Sequence, residues 1–282
     1  MRIGIHTSIA GALENAALHA AKLGANTFQI FSTSPRMWRA GPLDPAAVER
    51  FRETRARLDL APVVVHGIYL INLAAADGGI RARSMAAFRG EAERAAALGA
   101  EYLVMHPGSY KGYSLEEGMA TLAESLSESL KGFDGRGLTL LLENTAGSGC
   151  ALGSRFEELA EIRARVAGRI PLEVGYCLDT AHCLAAGFDI ANQDGLTKTV
   201  REISRVLGMA NVRVIHANDS KAPLGSHVDR HEHVGKGHIG TAGFRRILAH
   251  PKLRGKPFIL ETPIERDGDD RRNLRALLRL AG

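Results

Sequence analysis

Cysteine is scarce in this chain: Cys150, Cys177 and Cys183 form an odd set with no CxxC pair. That excludes a disulfide framework and a thiolate zinc site, so any metal must be held by other side chains. No run of about 18 uncharged apolar residues occurs, and no basic stretch leads into an apolar signal core ahead of Arg2-Ile3-Gly4-Ile5. The expectation is a cytoplasmic protein with no membrane partner. No GxGxxG follows the first apolar run, no long linker interrupts the chain and no segment repeats another. These absences argue against a dinucleotide-binding doubly wound sheet and a solenoid.

What is present is ordinary globular material, 282 residues with 45% apolar and 24% charged, enough for one large core or two small ones. The formal charge of +5 suits a polyanionic partner such as nucleic acid, and equally a merely soluble surface. Eight short β-rich runs recur, at 3–6, 27–31, 63–66, 102–106, 139–143, 174–179, 212–216 and 258–261. Between them lie stripes of helical period, such as Leu115, Met119, Leu122, Leu126 and Leu130. Ser114 with Glu117 and Ser154 with Glu157 fit capping boxes, Asp44-Pro45 fits a cap followed by proline, and Gly24, Gly99 and Gly208 fit helix stops. Eight βα units at this length predict a single (β/α)8 TIM barrel over residues 1–282, with its site at the C-terminal face of the strands.

Seven of the eight runs end on a metal-competent side chain: His6, His66, His106, Glu143, Asp179, His216 and Glu261. A lone His or Glu at a strand end is usually a hydrogen-bonded structural residue. In a parallel barrel, however, all strand C-termini open on one face, so these seven would converge. Packing several carboxylates and imidazoles side by side is costly unless a cation joins them. His182 follows Asp179 by three residues, and Asp229-x-His231 lies in the loop after His216. A set of His, Asp and Glu without thiolate suits Zn²⁺ or Mn²⁺. It exceeds the needs of one ion, and multi-metal sites serve phosphoryl and amide hydrolysis.

The same residues carry a resemblance. Gly4-Ile5-His6-Thr7-Ser8, Tyr69-Leu70-Ile71-Asn72-Leu73, His106-Pro107-Gly108-Ser109 and Leu142-Glu143-Asn144-Thr145-Ala146-Gly147 are followed by Leu178-Asp179-Thr180-Ala181-His182, His216-Ala217-Asn218-Asp219-Ser220-Lys221, Val228-Asp229-Arg230-His231 and Leu260-Glu261-Thr262-Pro263. Almost end to end, the chain resembles endonuclease IV, the metal-dependent nucleases that cut DNA at abasic sites. The resemblance implies hydrolysis 5′ to the abasic sugar, leaving 3′-hydroxyl and 5′-deoxyribose phosphate ends with no covalent intermediate, and removal of 3′-blocking groups in base excision repair. It implies three Zn²⁺ per chain, or Mn²⁺ at one or more positions. The implied ligands are His66, His106, Glu143, Asp179, His182, His216, Asp229, His231 and Glu261, with Glu143 shared between two ions, Glu143, Asp179 and Glu261 catalytic, and His6 outside the set.

It further implies a monomer acting on double-stranded DNA and associated with the nucleoid through it. The abasic nucleotide would be flipped out, with Arg36 and Trp38 after the second strand and Tyr69 and Leu70 after the third filling the gap. Lys221 and Arg230 would contact phosphate, or pair with Asp219 or Asp229. The stretch Arg50, Arg52, Arg55 and Arg57 reads as a solvated helix face. Ala12, Gly67-Ile68, Ala181 and Met37 depart from the family pattern, and Met37 leaves the contacts to the lesion open. A xylose isomerase-like sugar isomerase needs only Glu143, Asp179, His216 and Glu261; the five further ligands favour the nuclease. A barrel keeping its metals for structure alone would be expected to have lost a ligand.

Overall fold

The computed structural model describes residues 1–135 and 137–282. Its strands are β1 (Ile3–His6), β2 (Thr27–Phe31), β3 (Val63–His66), β4 (Tyr102–Met105), β5 (Thr139–Glu143), β6 (Glu173–Asp179), β7 (Val212–His216), β8 (Asp219–Ser220), β9 (His231–Glu232) and β10 (Phe258–Leu260). Its helices are α1 (Glu14–Leu23), α2 (Pro45–Arg57), α3 (Gly78–Leu98), α4 (Leu115–Ser129), α5 (Phe156–Val166), α6 (Thr180–Ala185), α7 (Gln193–Val206), α8 (Gly240–Ala249) and α9 (Asp269–Ala281). The expected barrel closes in the order β1-β10-β7-β6-β5-β4-β3-β2, with every pairing parallel. The ribbon β8-β9 is antiparallel and ties down the long loop after β7.

Most of the expected helix signals operate. Ser114 and Glu117 form a reciprocal capping box on α4, and Asp44 accepts from the Ala46 backbone N–H at the start of α2. Gly24 and Gly99 close α1 and α3 in the left-handed region, where a Cβ is disfavoured. Ser154 and Glu157 do not form the second capping box. Arg155 occupies the N-cap of α5 without a side-chain bond, and Glu158 turns back instead to accept from the Gly153 N–H at 2.7 Å. Arg55 is also not free in solvent: it grips Glu101 through both terminal nitrogens and donates to the Gly99 carbonyl, fastening α2 to the entry of β4.

Two apolar layers follow from the strand period of two. Residues such as Val63, Val65, Leu140, Leu142 and Phe258 face outward and pack with Phe51, Phe88, Phe156 and Phe244 of the helices. A small inner layer of Val64, Val104, Leu141, Cys177, Val214 and Ile259 fills the barrel axis. Each of these six has a partner two residues later on the same inward face: His66, His106, Glu143, Asp179, His216 and Glu261. The barrel floor therefore dictates what stands above it. At Gly4 the chains approach so closely that a Cβ would overlap the Thr27 carbonyl.

Candidate metal centre

The inward polar residues meet at the C-terminal mouth as three overlapping groups. His66, His106 and Glu143 form one, Glu143, Asp179, His216 and Glu261 a second, and Asp179, His182 and His231 a third; within each, one donor atom per residue lies within 4.8 Å of the others. Glu143 sits at the junction, completely buried. Its Oε2 is 3.1 Å from both His66 Nε2 and His106 Nε2, while its Oε1 is 2.9 Å from His216 Nδ1. Glu261 Oε2 lies 3.1 Å from that same Nδ1. Asp229, on the loop between β8 and β9, reaches the third group from outside, 3.2 Å from His182 Nε2 and 3.5 Å from His231 Nε2. All nine expected ligands thus converge.

Hydrogen bonds on the far side of each ring decide which nitrogen faces inward. His66 Nδ1 bonds to the Gly67 carbonyl at 2.7 Å, His182 Nδ1 to the Asn144 carbonyl at 2.8 Å and His231 Nδ1 to the Glu261 carbonyl at 3.1 Å. A carbonyl can only accept, so each Nδ1 carries a proton and each Nε2 faces the cavity, where it offers a lone pair once its own proton is displaced. His216 is reversed: Nε2 bonds to Gln29 Oε1 at 2.9 Å, which leaves Nδ1 between Glu143 and Glu261. Nε2 of His182 and of His231 are buried without a hydrogen-bond partner. Two inward ring nitrogens with no well-formed hydrogen bond among the described residues, 3.2–3.6 Å from the Asp229 and Asp179 carboxylates, are what a cation would satisfy, so the donor set fits a metal.

Electrostatics agree. Burial opposes charge on Glu143 and Glu261, but the His216 and His106 rings hold the Glu143 carboxyl well below the usual range, and His216 does the same for Glu261. Burial likewise opposes protonation of His182, yet Asp179, Asp229 and Glu143 outweigh it and hold the imidazole up to about 10. The carboxylates require positive charge among them, from protons on imidazoles or from metal ions.

His6 stands apart. Burial, opposed in part by Glu261, lowers it to about 4, and its Nδ1 is taken by Gln29 Nε2 at 3.1 Å.

Sequence reasoning passed over Gln29. It lies mid-strand on β2, which corresponds to the one apolar run of the eight whose last residue, Phe31, is not metal-competent. The amide is fully buried, donates to Glu261 Oε1 at 2.5 Å and to His6, and accepts from His216. A glutamine inside an otherwise apolar strand was the available signal, since a buried amide must find partners. Asn144 and Asn218 have related roles. Asn144 exchanges hydrogen bonds with the Asp179 backbone, while Asn218 donates to Asp179 Oδ2 at 2.6 Å and accepts from the Glu261 N–H at 2.7 Å. Asp219 accepts backbone N–H groups from Ser220, Gly235, Gly237, Ile239 and Gly240, which holds the far side of the loop bearing Asp229 and His231. Neither cation expected beside these acids pairs with them. Arg230 donates to the Asp229 backbone carbonyl, and Lys221 is exposed.

A cavity of about 280 Å³ opens over the cluster, walled by Phe31, Tyr69, Thr262 and Ile264. Tyr69 is 70% exposed and packs edge-on against Phe31 with ring centroids 5.1 Å apart, and Leu70 beside it is half-buried. On the neighbouring loop Arg36 and Met37 are exposed, while Trp38 is half-buried under the Arg83 guanidinium, 5.5 Å from its ring. Arg94 of α3 clasps this loop at both ends, donating to the Ser32 carbonyl and, at 2.8 Å, to the Gly41 carbonyl. Buried Glu91 accepts from the Ser32 hydroxyl at 2.9 Å behind it.

Residues 18–280 match the family model described as xylose isomerase-like TIM barrel. The chain is 59% identical over 282 residues to a probable endonuclease 4 of Solibacter usitatus (strain Ellin6076), covering 100% of this chain and 97% of that one. It superposes on endonuclease IV from Thermus thermophilus with TM-score 0.86 and 41% identity, over 99% of this chain and 98% of that one. A D-tagatose 3-epimerase-like protein superposes with TM-score 0.69 at 19% identity, over 100% and 98% of the two chains, a likeness of fold alone.

Proposed function

The chain belongs to the endonuclease IV family of xylose isomerase-like TIM barrels, and from that premise we propose how its own residues carry out the reaction. It is a metal-dependent endonuclease of DNA repair that acts at abasic sites. Residues 1–282 act as one domain and as a monomer. His66, His106 and Glu143 would hold one ion, Glu143, Asp179, His216 and Glu261 a second, and His182, Asp229 and His231 a third; the ion would be Zn²⁺, with Mn²⁺ acceptable at one or more positions. Bound there, the ions would supply Lewis-acid neutralisation of the phosphoryl oxygens and lower the pKa of a water toward neutrality.

The protein supplies the rest. Glu143 is inaccessible to solvent, so it links the first two groups and does not exchange protons with substrate. Glu261 is the second group's accessible carboxylate, with 18% of its side chain exposed, and it lines the cavity. Held ionised by His216, it is placed to accept a hydrogen bond from the attacking water and orient it. No side chain need become covalently attached.

A nucleotide stacked inside a duplex cannot reach the floor of this cavity, so the lesion would have to leave the helix, and a missing base makes that less costly. Tyr69 and Leu70 on one loop, with Arg36 and Trp38 on the other, would occupy the space vacated in the duplex. Lys221 and Arg230, unpaired with carboxylates, would meet phosphates beside the third group. Cleavage 5′ to the lesion leaves a 3′-hydroxyl and a 5′-deoxyribose phosphate, and the same cavity would accept blocked 3′ ends. No helix among the described residues is long and apolar enough to cross a membrane. We place the protein in the cytoplasm, at the nucleoid through DNA.

The observation that carries this reading is the pair of inward ring nitrogens on His182 and His231, which adds a third metal group to the two beneath it. The test is a duplex with one abasic analogue, alongside metal content. Wild-type protein should carry about three ions and nick the duplex. Glu143→Gln removes a buried charge facing three imidazoles, worth roughly 3–5 kcal/mol, and should lose metal and activity by about 10²–10⁴-fold. An unaffected variant, or a metal-replete wild type that leaves the duplex intact, overturns the reading.

A further inference from the structure

Beside the active cavity runs a second and larger cleft of about 870 Å³ between α9, the loop after β9 and the segment after β10. Lys236, Arg266, Arg275 and Arg279 line it and are all exposed. Among the described residues, no hydrogen bond or ion pair engages their charged ends. Arg272 is the exception, paired with Asp269, whose carboxylate also accepts the backbone N–H groups of Glu265 and Arg266. The carboxylates left in the cleft are Glu265 and Asp267, so the unpaired cations outnumber them two to one.

Unpaired like charges gathered in one cleft repel one another, and natural surfaces usually intersperse both signs. Arg275 and Arg279 stand four residues apart on α9, on the same side of the helix. The frame behind them is rigid. Asn273 accepts from the Val234 N–H at 3.0 Å and pairs with His233 at 3.0 Å, joining α9 to the loop that carries His231.

The cleft adjoins the catalytic mouth along the chain. Ile264, next in sequence to Glu265 of the cleft, lines the active cavity, and His233 of the cleft stands two residues after the ligand His231. A strand leaving the cavity would pass the exposed Ile264 to reach the cleft.

We propose that this cleft seats the phosphate backbone of one arm of the DNA flanking the lesion, a contact that anchors the duplex from outside the metal cavity. The proposal rests on the nuclease reading above. The α9 wall of the cleft, from Asp269 to Arg279, is about 15 Å long, the reach of roughly four nucleotides along one strand. Removing three arginine–phosphate pairings should flatten the dependence of log affinity on log salt by about 2.7, so the weakening of binding between 50 and 200 mM salt shrinks by about 40-fold.

The experiment compares wild type, Arg266→Ala/Arg275→Ala/Arg279→Ala, the triple Lys counterpart, and Lys22→Ala/Arg52→Ala/Arg57→Ala. The last removes equal charge from α1 and α2, outside the cleft. Binding and incision are measured on a 30-base-pair abasic duplex and on one of about eight base pairs. The cleft alanine variant should show a KM raised at least tenfold and a flatter salt slope on the long duplex, converge with wild type on the short one, and recover most of the slope with lysine. An equal effect of the α1/α2 variant, or an equal defect on both duplex lengths, overturns the proposal. A wild type that cuts neither duplex refutes the nuclease reading instead, so the two failures are distinguishable.

Discussion

Gln29→Leu is a sharp test of the geometry, because Gln29 touches no phosphate and lies outside the three ligand groups. Its Oε1 accepts from His216 Nε2 at 2.9 Å, and its Nε2 donates to Glu261 Oε1 at 2.5 Å. Leucine has similar volume and no polar atoms. The His216 N–H would lose its acceptor inside the barrel, where an unsatisfied donor costs about 1–3 kcal/mol. The ring could escape that cost by moving its proton to Nδ1, which would turn a donor toward the site where a lone pair is needed. Either route weakens the second metal group, and at 1.4 kcal/mol per factor of ten the loss is roughly 10–100-fold. Loss of a partner behind a metal ligand typically has the same size. The assay is chelator competition followed by metal analysis and abasic-duplex incision, with Gln29→Glu alongside. That variant keeps an acceptor for His216 but sets a second carboxylate against Glu261, so it should fail mainly at high pH, where both ionise. If Gln29→Leu retains wild-type metal affinity and kcat, the inference that Gln29 selects the His216 tautomer is wrong.

Three further outcomes are expected. Metal affinity should rise with pH. His182 is held up to about 10 and His216 above its ordinary value, so below those values the entering ion must displace protons; with one proton released, affinity at pH 6 is about 100-fold weaker than at pH 8, and titration in buffers of different ionisation enthalpy would detect the release. Asp219→Ala leaves the backbone donors of the 235–240 loop without an acceptor, at a cost of about 3 kcal/mol or more; metal analysis should show the His182/Asp229/His231 ion lost before the other two, and uniform loss of all three would contradict it. Arg94→Leu frees both ends of the loop carrying Arg36 and Trp38; KM for abasic duplex should rise about tenfold, the scale of one to two charge-assisted hydrogen bonds, with metal content intact, and an equal fall in kcat would show that the loop acts in the chemical step.

Much of this protein is written locally. Period-two alternation puts Val64 and His66, Leu141 and Glu143, or Cys177 and Asp179 on one face of their strands, whatever surrounds them. Eight such strands with helices between them leave a parallel barrel as the closed solution, and a parallel barrel gathers its strand ends. The barrel and the convergence of six expected ligands therefore follow from strand spacing and chirality, which would equally have admitted His6; the choice of the full set, with His182, Asp229 and His231 beyond the strand ends, came from the family resemblance. Three things belong to the tertiary structure alone. Gln29 meets Glu261 across a separation of 232 residues, because closure makes β1, β2 and β10 neighbours. The inward nitrogen of each histidine depends on which carbonyl or amide lies behind the ring. And Glu143 is shared because strand register, not sequence distance, brings His66, His106 and His216 to its two oxygens. Side-chain direction along a strand is a local property; which side chains then face one another is decided only when the sheet closes.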